Sequence, residues 1–176
     1  MDEPRPVAGE KGESMWKDPS VSNCLMIATY VVGGAGIALG IYGHTSGGGP
    51  KALHWSLPLV VGAVGIISCI RHSVFHVSDA RRAGVEADPF FMIELGFAQG
   101  AIGLVALLAF FAEWGVAAEV SLMLAFALYL GLAFFIVLYK AIKKGFDGGL
   151  VFGLFMWGLQ VVFMFWFAIA AWAAGI

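Results

Sequence analysis

Two of the four histidines and three of the ten Lys/Arg residues of this 176-residue chain fall in one short stretch, RHSVFHVSDARRAG, from Arg71 to Gly84. Positions 68, 72, 76 and 79 follow one another at helical spacings of three and four, so Ser68, His72, His76 and Asp79 are expected to line one helix face, with Arg71 beside them. A second polar feature lies just downstream in DPFFMIELGFAQG. Asp88 is suited to cap a helix and Pro89 to open it, which puts Glu94 about 7–8 Å into that helix at 1.5 Å per residue. Glu94 reads as the acid that lies clearly inside an apolar segment, where a carboxylate costs a few kcal/mol, so it should face the bundle, find a partner or be protonated. The expected partner is a histidine or Arg71 of the preceding stripe.

Two kinds of chemistry suit such a cluster. A histidine beside a carboxylate exchanges protons near neutral pH, so His76 and Glu94 point to proton-linked or small-solute binding. His72, His76 and Glu94 also form a two-histidine, one-carboxylate metal set in composition. The metalloprotease motif is absent, because Ser73 stands where that motif has glutamate. The bland alternative is an interfacial polar cap, with Arg71, His72 and His76 reaching to lipid headgroups and Asp79 starting a loop.

The elements that must position these residues follow from composition. The chain is 60% hydrophobic and only 12% charged, with a mean hydropathy of +0.88. Soluble domains are roughly a quarter charged, so this is the composition of an integral membrane protein. Its few charges make no broad basic surface, and a nucleic-acid partner is not expected. A bilayer crossing takes about 20 apolar residues, and five stretches qualify, at 23–42, 53–77, 89–112, 116–139 and 150–174. The fold class expected is all-α, a bundle of five transmembrane helices in one domain, 23–176. Residues 1–22 are polar, of mixed charge and interrupted by proline, and read as a mobile cytoplasmic tail without secretory-signal character.

Alternating spans put Arg5, Lys11, Lys17, Arg71, Arg81, Arg82, Lys140, Lys143 and Lys144 on one side and Lys51 alone on the other. The positive-inside rule then predicts a cytoplasmic N-terminus and an external C-terminus, in a multi-pass protein of the bacterial inner membrane. Tyr42, Trp55, Trp114 and Trp172 fall at the predicted outer interface, where amphipathic rings prefer to sit. The cysteines, Cys24 and Cys69, are expected as buried packing thiols. Gly36/Gly40 and Gly96/Gly100, with Gly103, have the small-xxx-small spacing that lets helices approach closely in lipid, either within the bundle or against another protein. Gln99 and Gln160 are expected to bond between helices. His44 and His54 flank the first connection, the only arrangement here that brings haem to mind, and no cofactor is expected. The aromatic last span, LFMWGLQVVFMFWFAIAAW, suits lipid, a pigment or quinone surface, or a protein interface.

The run from His76 through Ala80 and Gly84, then Pro89-Phe90, then Glu94-Leu-Gly-Phe-Ala-Gln-Gly-Ala-Ile-Gly103, resembles a family of small, uncharacterised bacterial polytopic membrane proteins, a domain of unknown function. The resemblance singles out His76, Pro89, Phe90 and Glu94. It departs from the family pattern in having no Trp after Gly84, Phe91 in place of Gln and Gln99 in place of Asn. It implies no activity. The sequence therefore leads to a non-enzymatic structural or accessory component that sits in the lipid bilayer and packs with itself or a larger membrane complex. A proton-linked transporter or intramembrane enzyme using His76 and Glu94 is the alternative. Reporter fusions within 140–144 and at Lys51 are expected to report opposite sides of the membrane, and an external 140–144 loop overturns the topology.

Overall fold

The computed structural model describes residues 16–83, 88–146 and 148–175, and these are helical throughout apart from short turns. The expectations for residues 1–15, including Arg5 and Lys11, and for Gly84 lie outside the described residues.

Helix α1 (Pro19–Leu57) opens on an Asp-Pro pair. The Ser20 N–H donates to Asp18 Oδ1 at 2.9 Å, while Pro19 has no N–H to leave unpaired. The same bond holds the Asp18 carboxyl below its ordinary range. The helix thus begins four residues before the predicted span, inside the supposed tail, and Ser22 is fully buried.

The chain reverses within α1 at Gly47 and Gly48. Gly48 adopts φ 77° and ψ −167°, a region effectively reserved for glycine. The second limb continues through a π-helical segment, π1 (Pro58–Ala63), then α2 (Val64–Cys69), π2 (Ile70–Val74) and α3 (His76–Ala83). Proline at position 58 removes a helix donor where π1 begins. In π2 the Phe75 N–H reaches back five residues to the Ile70 carbonyl at 3.2 Å, and Phe75 itself leaves helical geometry at φ −106°, ψ 29°.

Three further helices complete the chain: α4 (Pro89–Phe111), α5 (Val116–Lys144) and α6 (Gly148–Ala173). The turn from α4 to α5 is tight, with Glu113 at φ 51°, Gly115 at φ 91° and the Trp114 N–H bonded to the Ala109 carbonyl at 3.0 Å. Such a short connection makes α4 and α5 antiparallel neighbours and fixes where α5 begins.

The second limb of α1 and its π1 continuation form the axis. Leu53, Leu57, Val60 and Val61 are wholly buried, against Met123 and Phe126 of α5 and Met164 of α6. The outer surface presents Phe97, Leu132, Phe135, Phe155 and Ile169, all more than half exposed, as suits helices bathed in lipid. Glycine permits the close approach. A Cβ on Gly36 would strike Val60 and Leu59, one on Gly40 the Phe167 ring, and one on Gly103 the Gly62 carbonyl. Gly96 and Gly100 receive the backbone and side chains around Cys69 and His72. All five predicted packing glycines are thus used within the chain. Cys69 is half-buried against Gly100, whereas Cys24 is exposed and is not the buried thiol expected.

Gly103→Val is expected to lower stability by about 1–3 kcal/mol, the usual penalty of overpacking. A Cβ on Gly34 meets nothing within 4 Å, so Gly34→Ala is expected to be neutral or to stabilise by about 0.5–1 kcal/mol. Thermal melting of the purified variants in one detergent checks the contrast.

Candidate functional site

Asp79 in α3 is the hub of the polar cluster at one end of the bundle. Its side chain is 4% exposed, and four groups converge on it. Ser22 Oγ of α1 donates to Oδ1 at 2.5 Å, and Arg82 donates to the same oxygen from Nε at 3.1 Å and Nη2 at 3.0 Å. Arg71 Nε lies 3.6 Å from Oδ1, and His72 Nδ1 lies 2.8 Å from Oδ2. Arg82 Nε also reaches Ser22 Oγ at 3.1 Å, so the first and second limbs of α1 are clasped together through α3.

The tautomer of His72 follows from its neighbours. Arg71 Nη2 is 2.9 Å from His72 Nε2, and a guanidinium has only donors, so Nε2 accepts and the ring proton sits on Nδ1, facing Asp79. The approach to Oδ2 is bent, which makes it an electrostatic contact more than an aligned hydrogen bond. His72 is therefore a neutral bridge between a cation and an anion. Ser78 extends the clasp: it accepts from the Ser22 N–H at 3.1 Å and donates to the Asp18 carbonyl. Trp16 stacks on Phe75 at 5.0 Å and closes this end.

Asp79 lies beyond the apolar segment that ends at Val74. Burial pushes its carboxyl up, but the His72 ring, Arg71 and Ser22 outweigh that and hold it well below the ordinary carboxylate range.

The predicted stripe is only partly assembled. Ser68 is buried one turn deeper in α2, and no hydrogen bond joins it to the cluster. His76 is half-buried and its Nδ1 meets the Ser73 carbonyl at 3.0 Å, so it does not face Asp79. The physical reason is π2: a π turn takes up one residue more than an α turn, so residues on either side of it lose the 3.6-residue register. Arg71 and His72 turn inward while His76 starts a new helix.

Glu94 is not the interior acid expected. It is exposed on α4, with no hydrogen bond or ion pair to a described residue, on a face that also presents Phe90, Phe91 and Phe97. His72, His76 and Glu94 consequently do not converge, and no group of three His, Cys, Asp or Glu among the described residues is placed to hold a metal.

The buried acid inside an apolar helix is Glu119, in the first turn of α5. Its Oε1 lies 2.7 Å from His54 Nδ1, at the far end of the second limb from Asp79. His44 packs instead on Trp166 of α6, with ring centroids 4.9 Å apart, so the two histidines of the first connection serve different helices. Between the two ends, Gln99 donates to the Tyr129 hydroxyl at 2.9 Å and Gln160 to the Val60 carbonyl at 3.4 Å, both bridging helices as expected. A cavity of about 150 Å³ between α1 and α6 is lined by Tyr30, Gly34, Ile37, Met156, Leu159 and Gln160, and holds none of the titratable cluster.

Ser22, Ser78 and Arg82 are the cluster members that periodicity alone does not reveal. Ser22 sits in the stretch that reads as tail, and Arg82 reads as a topology charge. Glu119 is hidden for a related reason: three residues into a span it looks like a headgroup-level acid.

The fold and these sites define a class. The chain is an all-helical bundle with four apolar helical segments long enough to cross a membrane, and one of them, Pro19–Val74, is doubled back at its glycine turn; this is the build of a multi-pass membrane protein. Set against family models, curated proteins and solved structures, the chain matches none of them.

Asp79→Asn is expected to cost about 3–5 kcal/mol, because Arg71 and Arg82 keep buried charge without their counter-ion. The depressed carboxyl also fixes the sign of the pH dependence. The contribution of Asp79 is fully present above the ordinary value of 3.8 and is lost as pH falls below it, through the lower folded value. Melting curves from neutral to acid pH should show this loss in the wild-type protein and not in Asp79→Asn.

Proposed function

We propose that this chain is a five-span protein of the bacterial inner membrane, with its N-terminus in the cytoplasm and its C-terminus outside. In this reading it is a non-enzymatic accessory component that packs against another membrane chain, a second copy or a larger complex. The two limbs of α1 count as separate spans. The orientation is supported by Lys17, Arg71, Arg81 and Arg82 gathered at the Asp79 end, while Tyr42, Trp55, Trp114 and Trp172 lie at the His54 end, three of them more than half exposed. Membership in the family that His76, Pro89, Phe90 and Glu94 resemble belongs to the same proposal.

The observation that carries the accessory role is Glu94. An unpartnered carboxylate on an apolar, outward face costs a few kcal/mol in lipid. Among the described residues it meets no donor, and in this reading a partner chain supplies one. Phe90, Phe91 and Phe97, each at least 61% exposed, provide apolar area around it. The glycine faces, the other surfaces suited to a partner helix, are already filled by this chain's own helices. A transporter or enzyme built on His76 and Glu94 finds no support in the geometry, since His76 is turned to the Ser73 carbonyl and Glu94 points away from it.

Gentle purification followed by native mass spectrometry tests the reading. The wild-type protein is expected to run as an assembly, and Glu94→Ala is expected to weaken it about ten-fold or more, equivalent to roughly 1.4 kcal/mol, with the melting temperature of the monomer unchanged. A wild-type protein that is monomeric and free of other chains in lipid nanodiscs overturns it.

A further inference from the structure

The His54–Glu119 pair takes no part in the Asp79 clasp or the Glu94 face. Its two residues differ sharply in access. The Glu119 side chain is 3% exposed, whereas that of His54 is 38% exposed and its ring lies 4.6 Å from that of Phe110. Glu119 Oε1 meets His54 Nδ1 at 2.7 Å, but Oε2 is buried and has no hydrogen-bond partner among the described residues. The contrast with Asp79 is informative. There several donors converge on a carboxylate that must stay charged; here a single imidazole meets a carboxylate whose other oxygen is bare.

Other titratable groups at this end stand aside. From α1, His44 packs on Trp166 and the Lys51 ammonium sits 5.1 Å above the Trp55 ring. From the α4–α5 turn, Glu113 is exposed, and α6 brings no titratable side chain. Among the described residues, the one titratable group in hydrogen-bond contact with Glu119 is therefore the imidazole that also reaches the surface.

The geometry points to a proton-binding site formed by His54 and Glu119, whose ligand is a proton taken from the aqueous phase through the exposed edge of the ring. In the unprotonated pair His54 carries its proton on Nδ1 and donates it to the Glu119 carboxylate, for a net charge of −1. A proton from water adds to Nε2, and the Nδ1 proton passes to Oε1. The imidazole is then neutral with its proton on Nε2, and the carboxylic acid donates to Nδ1. One proton is gained, the pair becomes neutral, and Oε2 is left as a carbonyl oxygen, which tolerates a dry surrounding far better than a carboxylate oxygen does. This site stands independently of the docking reading, because Glu94 lies at the opposite end of the bundle.

Infrared difference spectroscopy of the full chain in lipid nanodiscs, taken from neutral to acid pH, tests it. Acidification is expected to produce a protonated-carboxyl band that shifts in D₂O and is missing in Glu119→Gln. His54→Gln is expected to move the midpoint of that band by about one pH unit or more, a ten-fold change in proton affinity. If Glu119→Gln does not fold, the midpoint shift in His54→Gln decides the matter. A wild-type protein with no such band over this range, a band retained in folded Glu119→Gln, or an unmoved midpoint in His54→Gln overturns the proposal and leaves a structural contact only.

Discussion

The second limb of the chain runs along the axis of the bundle, and its polar side chains lie where apolar helices surround them. In that setting a charge or a hydrogen-bonding group has to be answered by another helix, because apolar neighbours offer it no hydrogen bond. Arg71 and His72 are answered by Asp79, and His54 meets Glu119. Each answer ties down a different element. Asp79 and Ser78 hold the start of α1, through Ser22 and Asp18, to the far end of the limb that α1 itself becomes. Glu119 holds the start of α5 to the near end. The axis is thus pinned at both ends by polar contacts and filled between them by Leu53, Leu57, Val60 and Val61.

The π turns make this pinning possible. A regular helix carries side chains around its axis at a fixed period, and a π turn adds a residue and resets it. Because π2 spans Ile70–Val74, Arg71 and His72 both turn toward Asp79, although they are adjacent in sequence. The first segment, π1, coincides with Pro58, and there Gln160 of α6 reaches the Val60 carbonyl. Glycine complements these contacts by letting neighbouring helices come close enough for short side chains to meet. Serine and aspartate do not span a wide gap, and the Ser22–Asp79 bond needs the first limb to lie close against α3.

The acids of the chain differ by what surrounds them. Asp79 is enclosed by cations and hydroxyls and stays charged. Glu119 is enclosed by apolar residues, with one imidazole for company. Glu94 has no partner among the described residues and is exposed on a face that also presents phenylalanines. Those environments suit, respectively, a locking contact, the proposed proton site and the proposed docking surface.

The helical class, the apolar segments and the sharp start at Asp88-Pro89 are matters of composition, length and local backbone chemistry, so the amino-acid order alone determines them. The glycine-glycine reversal between Gly47 and Gly48 is likewise local, whereas the spacing of Gly36, Gly40, Gly96, Gly100 and Gly103 marks faces for close packing without deciding what packs on them. Asp79, His72 and Arg71 stand out in the sequence because charge is scarce there. The tertiary structure alone decided which of these groups meet. Periodicity carried His76 into the cluster, the cost of a carboxylate in hydrocarbon carried Glu94 to the interior, and the structure places neither there. A π turn breaks the period before His76, and the rotation of α4 about its own axis, set by Gly96, Gly100 and Gly103 packing on α2 and π2, turns Glu94 outward. Ser22 and Glu119 were hidden because burial depends on what packs across from a residue, and that partner lies more than fifty positions away in sequence.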